Sequence, residues 1–282
     1  SIANKNQQSI YIIGGYVRDL LMNRKVPTDI DFVTEQNGIL LAEKIAEEIN
    51  PNIKVSIFKN YGTAMFRYNN IDLEFVGARK ESYTENSRKP EVENGSLEDD
   101  QKRRDFTINS LAISLNKENF GELIDPFNGQ NDMTNKIIRT PLEPHQTYSD
   151  DPLRMMRAIR FATTLDFNIE EKSLNAIKKE VDRIKIVSME RIMVEFNKIM
   201  LSKRPSKGLN LLDETGLLNY ILPELTALKG IEEIDGMGHK DNFYHTLEVV
   251  DNISQHTDKL WLRWAALLHD IGKAPTKKFE KN

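Results

Sequence analysis

Strand-like apolar runs stop near Asp150, and beyond that point apolar residues recur every three to four positions, the spacing of helices with one buried face. No single sheet can therefore run through the chain, and the fold class expected is α+β: a strand-bearing first part followed by an all-helical second part. The helical spacing predicts helices over 152–164, 170–181, 188–201, 207–215, 244–254 and 260–269. The Pro-bearing polar stretch 141–147 marks the boundary. At 282 residues the chain is long enough for about two domains.

In the first part, an apolar run at 10–13 ends in Gly14-Gly15 and a helical pattern begins at Val17. Strands are predicted at 30–33, 55–58, 63–68 and 71–76 and a helix at 40–49, with Asn69-Asn70 as a hairpin turn. Residues 81–101 are polar and carry Pro90 and Gly95, which reads as a mobile functional loop. The chain has no cysteine, which excludes disulfides and thiolate metal sites and suits a reducing cytoplasm. Residues 1–8 are polar, and neither a signal peptide nor a membrane-spanning segment is expected, so the reading is cytosolic. A net charge of −4 does not advertise a nucleic-acid ligand in bulk, but Arg and Lys cluster locally, at 102–104 and at Arg154, Arg157 and Arg160.

Asp29 and Asp31 lie two apart in a predicted strand, so both carboxylates share one face. Asp72 or Glu74, again two apart, can supply a third acid from a neighbouring strand. Three converging carboxylates suit Mg²⁺ and a triphosphate in two-metal phosphoryl transfer. Gly14-Gly15 ahead of a helix lets backbone N–H groups approach phosphate oxygens, and Arg18 can add charge there. The order Gly-Gly-x-Val-Arg-Asp, then Asp-x-Asp within a dozen residues, resembles the signature of the nucleotidyltransferase superfamily.

Residues 103–109, Arg-Arg-Asp-Phe-Thr-Ile-Asn, resemble the second motif of class II CCA-adding enzymes and bacterial poly(A) polymerases. The resemblance implies that Asp105 tests for the ribose 2′-OH, that Arg104 helps to hold the triphosphate, and that Asn109 belongs to the nucleotide site. Asp125-Pro126-Phe127-Asn128-Gly129 is similar to that family's DPFGG turn, with Asn in place of one glycine; Asn tolerates left-handed backbone, so the turn is expected to survive.

Asp150-Asp151-Pro152 opens a helix with an acid as cap and Pro inside the first turn, and Asp151 and Arg154, three apart, share a face. This can be a cap and a surface ion pair. It also resembles the family's EDxxR motif, which implies nucleotide selection by Asp151 and Arg154. A carboxylate accepts from the exocyclic amine of cytosine or adenine and an Arg serves the neighbouring ring acceptor, whereas uracil and guanine offer a carbonyl instead. Arg157 and Arg160 are assigned to the same nucleotide-binding helix. Residues 190–195 resemble ERxxxE, where Arg191 and Glu195 share a face and are expected to brace the helices.

His245, His269 and Asp270 resemble the opening of an HD domain, a candidate second site for a divalent transition metal. The chain ends at Asn282 before the last acidic ligand of such a domain, so it reads as a piece of a longer protein or as an incomplete HD fold, and a metal-free remnant stays open beside a metal site. The architecture implied is a nucleotidyltransferase head with a small mixed sheet (1–140), a helical neck for nucleotide selection (141–202) and a helical body with a truncated HD-like region (203–282). The reaction implied is addition of CCA to a tRNA 3′ end from CTP and ATP, with pyrophosphate released and Asp29, Asp31 and Glu74 as the catalytic acids. Asp31 or the metal alone would activate the 3′-OH. A poly(A) polymerase, a partial CC- or A-adding enzyme and an HD-type phosphohydrolase are the alternatives. The oligomeric state stays open.

Overall fold

The computed structural model describes residues 2–5, 8–82, 91–230, 233–234, 237–238 and 241–276. Its contacts divide the chain into two units, Ser1–Glu143 and Pro144–Asn282.

The first unit runs α1 (Ile2–Lys5), β1 (Tyr11–Ile13), α2 (Gly15–Leu21), β2 (Asp29–Thr34), α3 (Gly38–Ile49), β3 (Ser56–Phe58), β4 (Thr63–Tyr68), β5 (Ile71–Gly77), β6 (Arg79–Ser82), β7 (Glu91–Asn94), α4 (Leu97–Lys102), β8 (Ala112–Ser114), β9 (Leu123–Ile124), α5 (Gly129–Thr134) and β10 (Ile137–Ile138). Among the described residues seven strands form one sheet in the order β3-β4-β5-β2-β1-β8-β9. It is mixed because β2 and β5 pair in parallel while the other neighbours are antiparallel. The β4–β5 hairpin turns through Asn69 and Asn70 at φ 49° and 62°, the left-handed pair that a two-residue turn needs.

Period two sends Phe32, Phe66 and Phe75 to one face, where the rings of Phe32 and Phe75 stack at 4.7 Å and those of Phe66 and Phe75 at 5.5 Å. Leu41, Ala42 and Ala46 of α3 close this core, and the Asn37 side chain caps the helix by accepting from the Leu40 N–H at 3.1 Å. Burying each of these large side chains contributes about 2–3 kcal/mol. The other face packs Ile13, Val33, Ala78, Leu97 and Ala112 together, leaving the start of β2 uncovered.

Residues 81–101 differ from the loop expected. Glu91–Asn94 pairs with Arg79–Ser82 as a hairpin, and α4 follows, started by a capping box in which the side chains of Ser96 and Asp99 each accept from the other's backbone N–H. Ser96-x-x-Asp99 is the signal that could have revealed this helix. Residues 83–90, the remainder of that stretch, lie outside the described residues.

The second unit contains α6 (Pro144–Asp150), α7 (Leu153–Thr164), β11 (Asn168–Ile169), α8 (Glu171–Glu180), a 3-10 turn (Val181–Ile186), α9 (Met189–Met200), α10 (Pro205–Glu214), α11 (Leu218–Ile221), α12 (Pro223–Thr226), α13 (Asn242–Ser254), α14 (Leu260–Leu268) and α15 (Lys273–Thr276). Met155, Ile159 and Ala162 of α7 and Ile192, Phe196 and Ile199 of α9 are buried at helical spacing. Among the described residues no helix is long and apolar enough to cross a membrane.

Candidate active site

The β2–β5 register sets Asp29 beside Asp72 and Asp31 beside Glu74, so four acids share one sheet face. Their surroundings then separate them. Asp72 lies 3.6 Å from the guanidinium of Arg67, its neighbour on β4. Glu74 instead feels both β2 acids: burial pushes its carboxyl above the ordinary range, the charges of Asp31 and Asp29 push it further, and Arg79 opposes them. Burial likewise lifts Asp31; Arg104 opposes, while Asp29 and Asp100 add to the lift. Asp29, Asp31 and Glu74 thus repel one another across one sheet face, and oxygen donors of this kind suit Mg²⁺, although among the described residues it is His245, His269 and Asp270, not these acids, that stand close enough together to ligate one ion.

Gly14 turns the chain out of β1 at φ 84°, a left-handed conformation, just before α2. A methyl group built on it would stand 3.0 Å from Nη1 of Arg104 and 3.5 Å from Oδ2 of Asp31, so glycine keeps this backbone against the carboxylate site. The side chain of Arg18, 3.6 Å from a methyl built on Gly15, is 8% exposed. It donates from Nε and Nη2 to Asp19 at 2.9 Å and from Nη1 to Asn109 at 2.6 Å. Asn109 in turn donates to Oδ1 of Asp105 at 2.9 Å, an oxygen that also accepts the Phe106 N–H. The two sequence segments, Gly14–Asp19 and Asp105–Asn109, are therefore one hydrogen-bonded assembly, with Arg18 inside it.

Asp100 was not singled out by its sequence pattern. It is fully buried on α4, with Oδ1 accepting from Nε of Arg103 at 2.9 Å and Oδ2 from Nε of Arg104 at 3.1 Å. A second donor of each guanidinium, Nη2, completes two forks. Burial raises the Asp100 carboxyl, but Arg104 and Arg103 outweigh it and hold it below the usual carboxylate range. Nη1 of Arg103 then reaches Glu81 at 3.2 Å, and Glu81 lies 2.9 Å from Nε of Arg79. Spacings of three and four between Asp100 and the two arginines were the available signal.

Asn128 takes the left-handed conformation expected, at φ 59°. Asp125 accepts from the Gly129 and Gln130 N–H groups, and a methyl on Gly129 would meet the Thr107 carbonyl at 2.5 Å, so the turn supports the Thr107–Asn109 segment.

In the helical unit Pro152 precedes the first residue of α7 rather than standing within its first turn, and Oδ1 of Asp151 accepts the Leu153 N–H at 3.3 Å. Arg154 donates from Nη1 to the Thr147 carbonyl at 3.4 Å. Arg154, Arg157 and Arg160 are half-buried along one stripe of α7. Arg160 has structural partners: Nε is 2.5 Å from Oε2 of Glu195, and the guanidinium lies 3.7 Å over the Phe161 ring. Glu195 also meets Lys198 at 3.2 Å while Arg191 is exposed, so the brace expected along α9 joins α7 to α9 instead.

His245 of α13, and His269 and Asp270 after α14, bring one ligand atom each within 4.8 Å of the others. Nδ1 of His269 faces the Ala266 carbonyl at 2.7 Å, a contact that fixes the ring and leaves Nε2 as ligand. The buried Nδ1 of His245 has no hydrogen-bond partner among the described residues. Burial raises the Asp270 carboxyl, but the hydrogen bond from Lys273 and the neighbouring His269, Lys273 and His245 charges hold it below the ordinary range. Two imidazoles and an ionised carboxylate can hold a divalent metal.

Residues 10–139 match the family described as Poly A polymerase head domain, residues 166–229 a probable RNA and SrmB-binding site of polymerase A, and residues 242–282 the HD domain. The A-adding tRNA nucleotidyltransferase of Aquifex aeolicus (strain VF5) is 40% identical over 72% of this chain and 24% of its own length. The CCA-adding enzyme of Geobacillus sp. (strain WCH70) is 38% identical over 75% of this chain and 50% of its own. The chain thus spans about a quarter of the first relative and half of the second. A solved tRNA nucleotidyltransferase complexed with a primer tRNA and an incoming ATP analog superposes with a TM-score of 0.73 at 30% identity, over 95% of this chain and 74% of that one.

Proposed function

The chain belongs to the family of tRNA nucleotidyltransferases and poly(A) polymerases, and from that premise we propose that it adds C and A without a template to the 3′ end of tRNA, from CTP and ATP with release of pyrophosphate. The observation that carries this reading is the meeting of Asp31, the Gly14 backbone and the Arg104 guanidinium at one place, with Asp29 and Glu74 coupled to it by charge.

In this reading Asp29, Asp31 and Glu74 hold Mg²⁺, which when bound supplies charge neutralisation and polarisation at the α-phosphate. Asp31 orients the terminal ribose hydroxyl or takes its proton. The Gly14-Gly15 turn and Arg104 hold the triphosphate, with Arg18 orienting Asn109 and so Asp105 toward the ribose. Asp151 and Arg154 select cytosine and adenine, Arg157 stays with the nucleotide-binding helix, and Arg160 holds that helix to α9. Residues 1–140 serve as head, 141–202 as neck and 203–282 as body, working in the cytoplasm.

The test is single-nucleotide incorporation on tRNA transcripts ending before CCA, after the first C and after CC, with each of the four NTPs and Mg²⁺. Stepwise C, C, A addition is expected. ATP use on the CC end alone would replace this with A-adding activity, the reading favoured by the Aquifex relative; ATP use on any RNA end would make the chain a poly(A) polymerase.

His245, His269 and Asp270 are proposed to bind a transition metal. Titration of the chain with Ni²⁺ in saturating Mg²⁺, which occupies the carboxylate site, is expected to show one saturable site that weakens by about tenfold or more in His269→Ala. Equal binding by that variant would leave these residues a metal-free remnant, and metal-dependent phosphodiester hydrolysis lost with His269 would favour the phosphohydrolase reading.

A further inference from the structure

Arg104 can face the glycine turn only if something fixes its plane. A guanidinium on three methylenes has many rotamers, and a bound triphosphate would otherwise have to order it at a cost in side-chain entropy. Asp100 removes that freedom. Its Oδ2 takes Nε at 3.1 Å and Nη2 at 3.0 Å, two donors on one edge of Arg104, which turns the remaining corner, Nη1, toward Gly14 and Asp31. The other oxygen, Oδ1, is occupied by Arg103, whose far corner is held by Glu81, so Asp100 is itself fixed from two sides. With no exposure to solvent, Asp100 cannot touch a nucleotide.

We propose that Asp100 is the positioning residue of the nucleotide site, locking Arg104 so that Nη1 meets the triphosphate of the incoming NTP. It rests on the reading of this site as one that binds an NTP. A bound NTP gains the Arg104 contact without ordering the side chain, and the benefit appears in affinity for the NTP and not in affinity for the RNA end.

The experiment measures NTP and primer KM and kcat for the wild-type chain, Asp100→Asn, Arg104→Ala and the double variant, with ATP binding followed at equilibrium. Asp100→Asn places an amide N–H₂ against donors and releases one fork. The NTP KM is expected to rise about tenfold, about 1.4 kcal/mol, with primer KM unchanged, and Asp100→Asn is expected to add nothing in the Arg104→Ala background. Additive losses, or a primer KM that rises in parallel, would overturn the proposal and make Asp100 a general stabiliser of the fold. Should Asp100→Asn not fold, Arg104→Lys answers the same question: it keeps the charge and loses the fork, so an unchanged NTP KM would refute the lock. Wild-type chain that binds no NTP would instead remove the reading of the site itself.

Discussion

Asp31→Asn is expected to abolish nucleotide transfer and, in the same protein, to raise the melting temperature of the first unit in metal-free buffer. On the proposed reading Asp31 holds the catalytic metal and faces the reacting hydroxyl, so its loss should slow transfer by about 10³-fold or more, roughly 4 kcal/mol of barrier. The stability effect has the opposite sign because burial and the charges of Asp29 and Asp100 raise the Asp31 carboxyl above its ordinary value despite Arg104. A carboxylate whose folded-state pKa is raised binds its proton more tightly in the folded chain. Stability is then greatest below the unfolded-state value and declines as pH climbs through the raised one, so at pH 7 the ionised group is a liability. The amide carries no charge and should therefore melt at a higher temperature than the wild-type chain. Mg²⁺ should stabilise the wild-type chain more than the variant. Calorimetry in EDTA and in Mg²⁺ reads both effects; a lower melting temperature for Asp31→Asn in EDTA would mean that the attraction of the Arg104 charge outweighs burial and like-charge repulsion.

Arg263→Met should destabilise the helical unit by about 3–4 kcal/mol. Arg263 is 1% exposed, and its guanidinium donates to the carbonyls of Thr257 at 2.9 Å, Met200 at 2.7 Å, Ser202 at 2.6 Å and Ser254 at 3.1 Å, with Asp258 at 3.3 Å. Met200 and Ser254 end α9 and α13, so one cation supplies donors where two helices run out of them and sits at the negative ends of both dipoles. Methionine fills much of the volume and leaves those carbonyls unsatisfied, at roughly 1 kcal/mol each. Trp261, two residues earlier and 77% exposed, serves as the control: Trp261→Arg should change stability by no more than about 0.5 kcal/mol. Equal urea midpoints for Arg263→Met and the wild-type chain would refute the staple.

The longer helices of the second unit, α7 to α10, α13 and α14, and the β4–β5 hairpin were legible because amphipathic spacing and an Asn-Asn turn act over a few residues, whereas α6, in the stretch read as a boundary, and the single-turn helices α11, α12 and α15 were not. So were the pairs Asp29 with Asp31 and Gly14 with Gly15, since period two and the freedom of glycine are local rules. Spacing alone left Asp72 and Glu74 equal and only the family resemblance favoured Glu74; what sets their surroundings apart is β4 bringing Arg67 to one and β2 bringing two charges to the other. The pairing of 79–82 with 91–94 was not legible, because it joins segments separated along the chain, whereas α4 carried a local signal in Ser96-x-x-Asp99 that the polarity of the stretch masked.

By itself the sequence determined where strands give way to helices and which chemical groups are available, since both follow from neighbours within one or two turns of chain. Only the tertiary structure decided which charges are buried. In hydropathy Arg263 belongs outside and Trp261 inside, and the folded chain does the reverse. Asp100 looks like one more acid in a solvated run, yet it lies at the centre of two arginine forks. A buried charge is stable only where partners meet it. Arg263 depends on the Met200 and Ser202 carbonyls more than sixty residues away, whereas Asp100 finds its arginines three and four residues on, and for it only the packing that excludes water is decided in three dimensions.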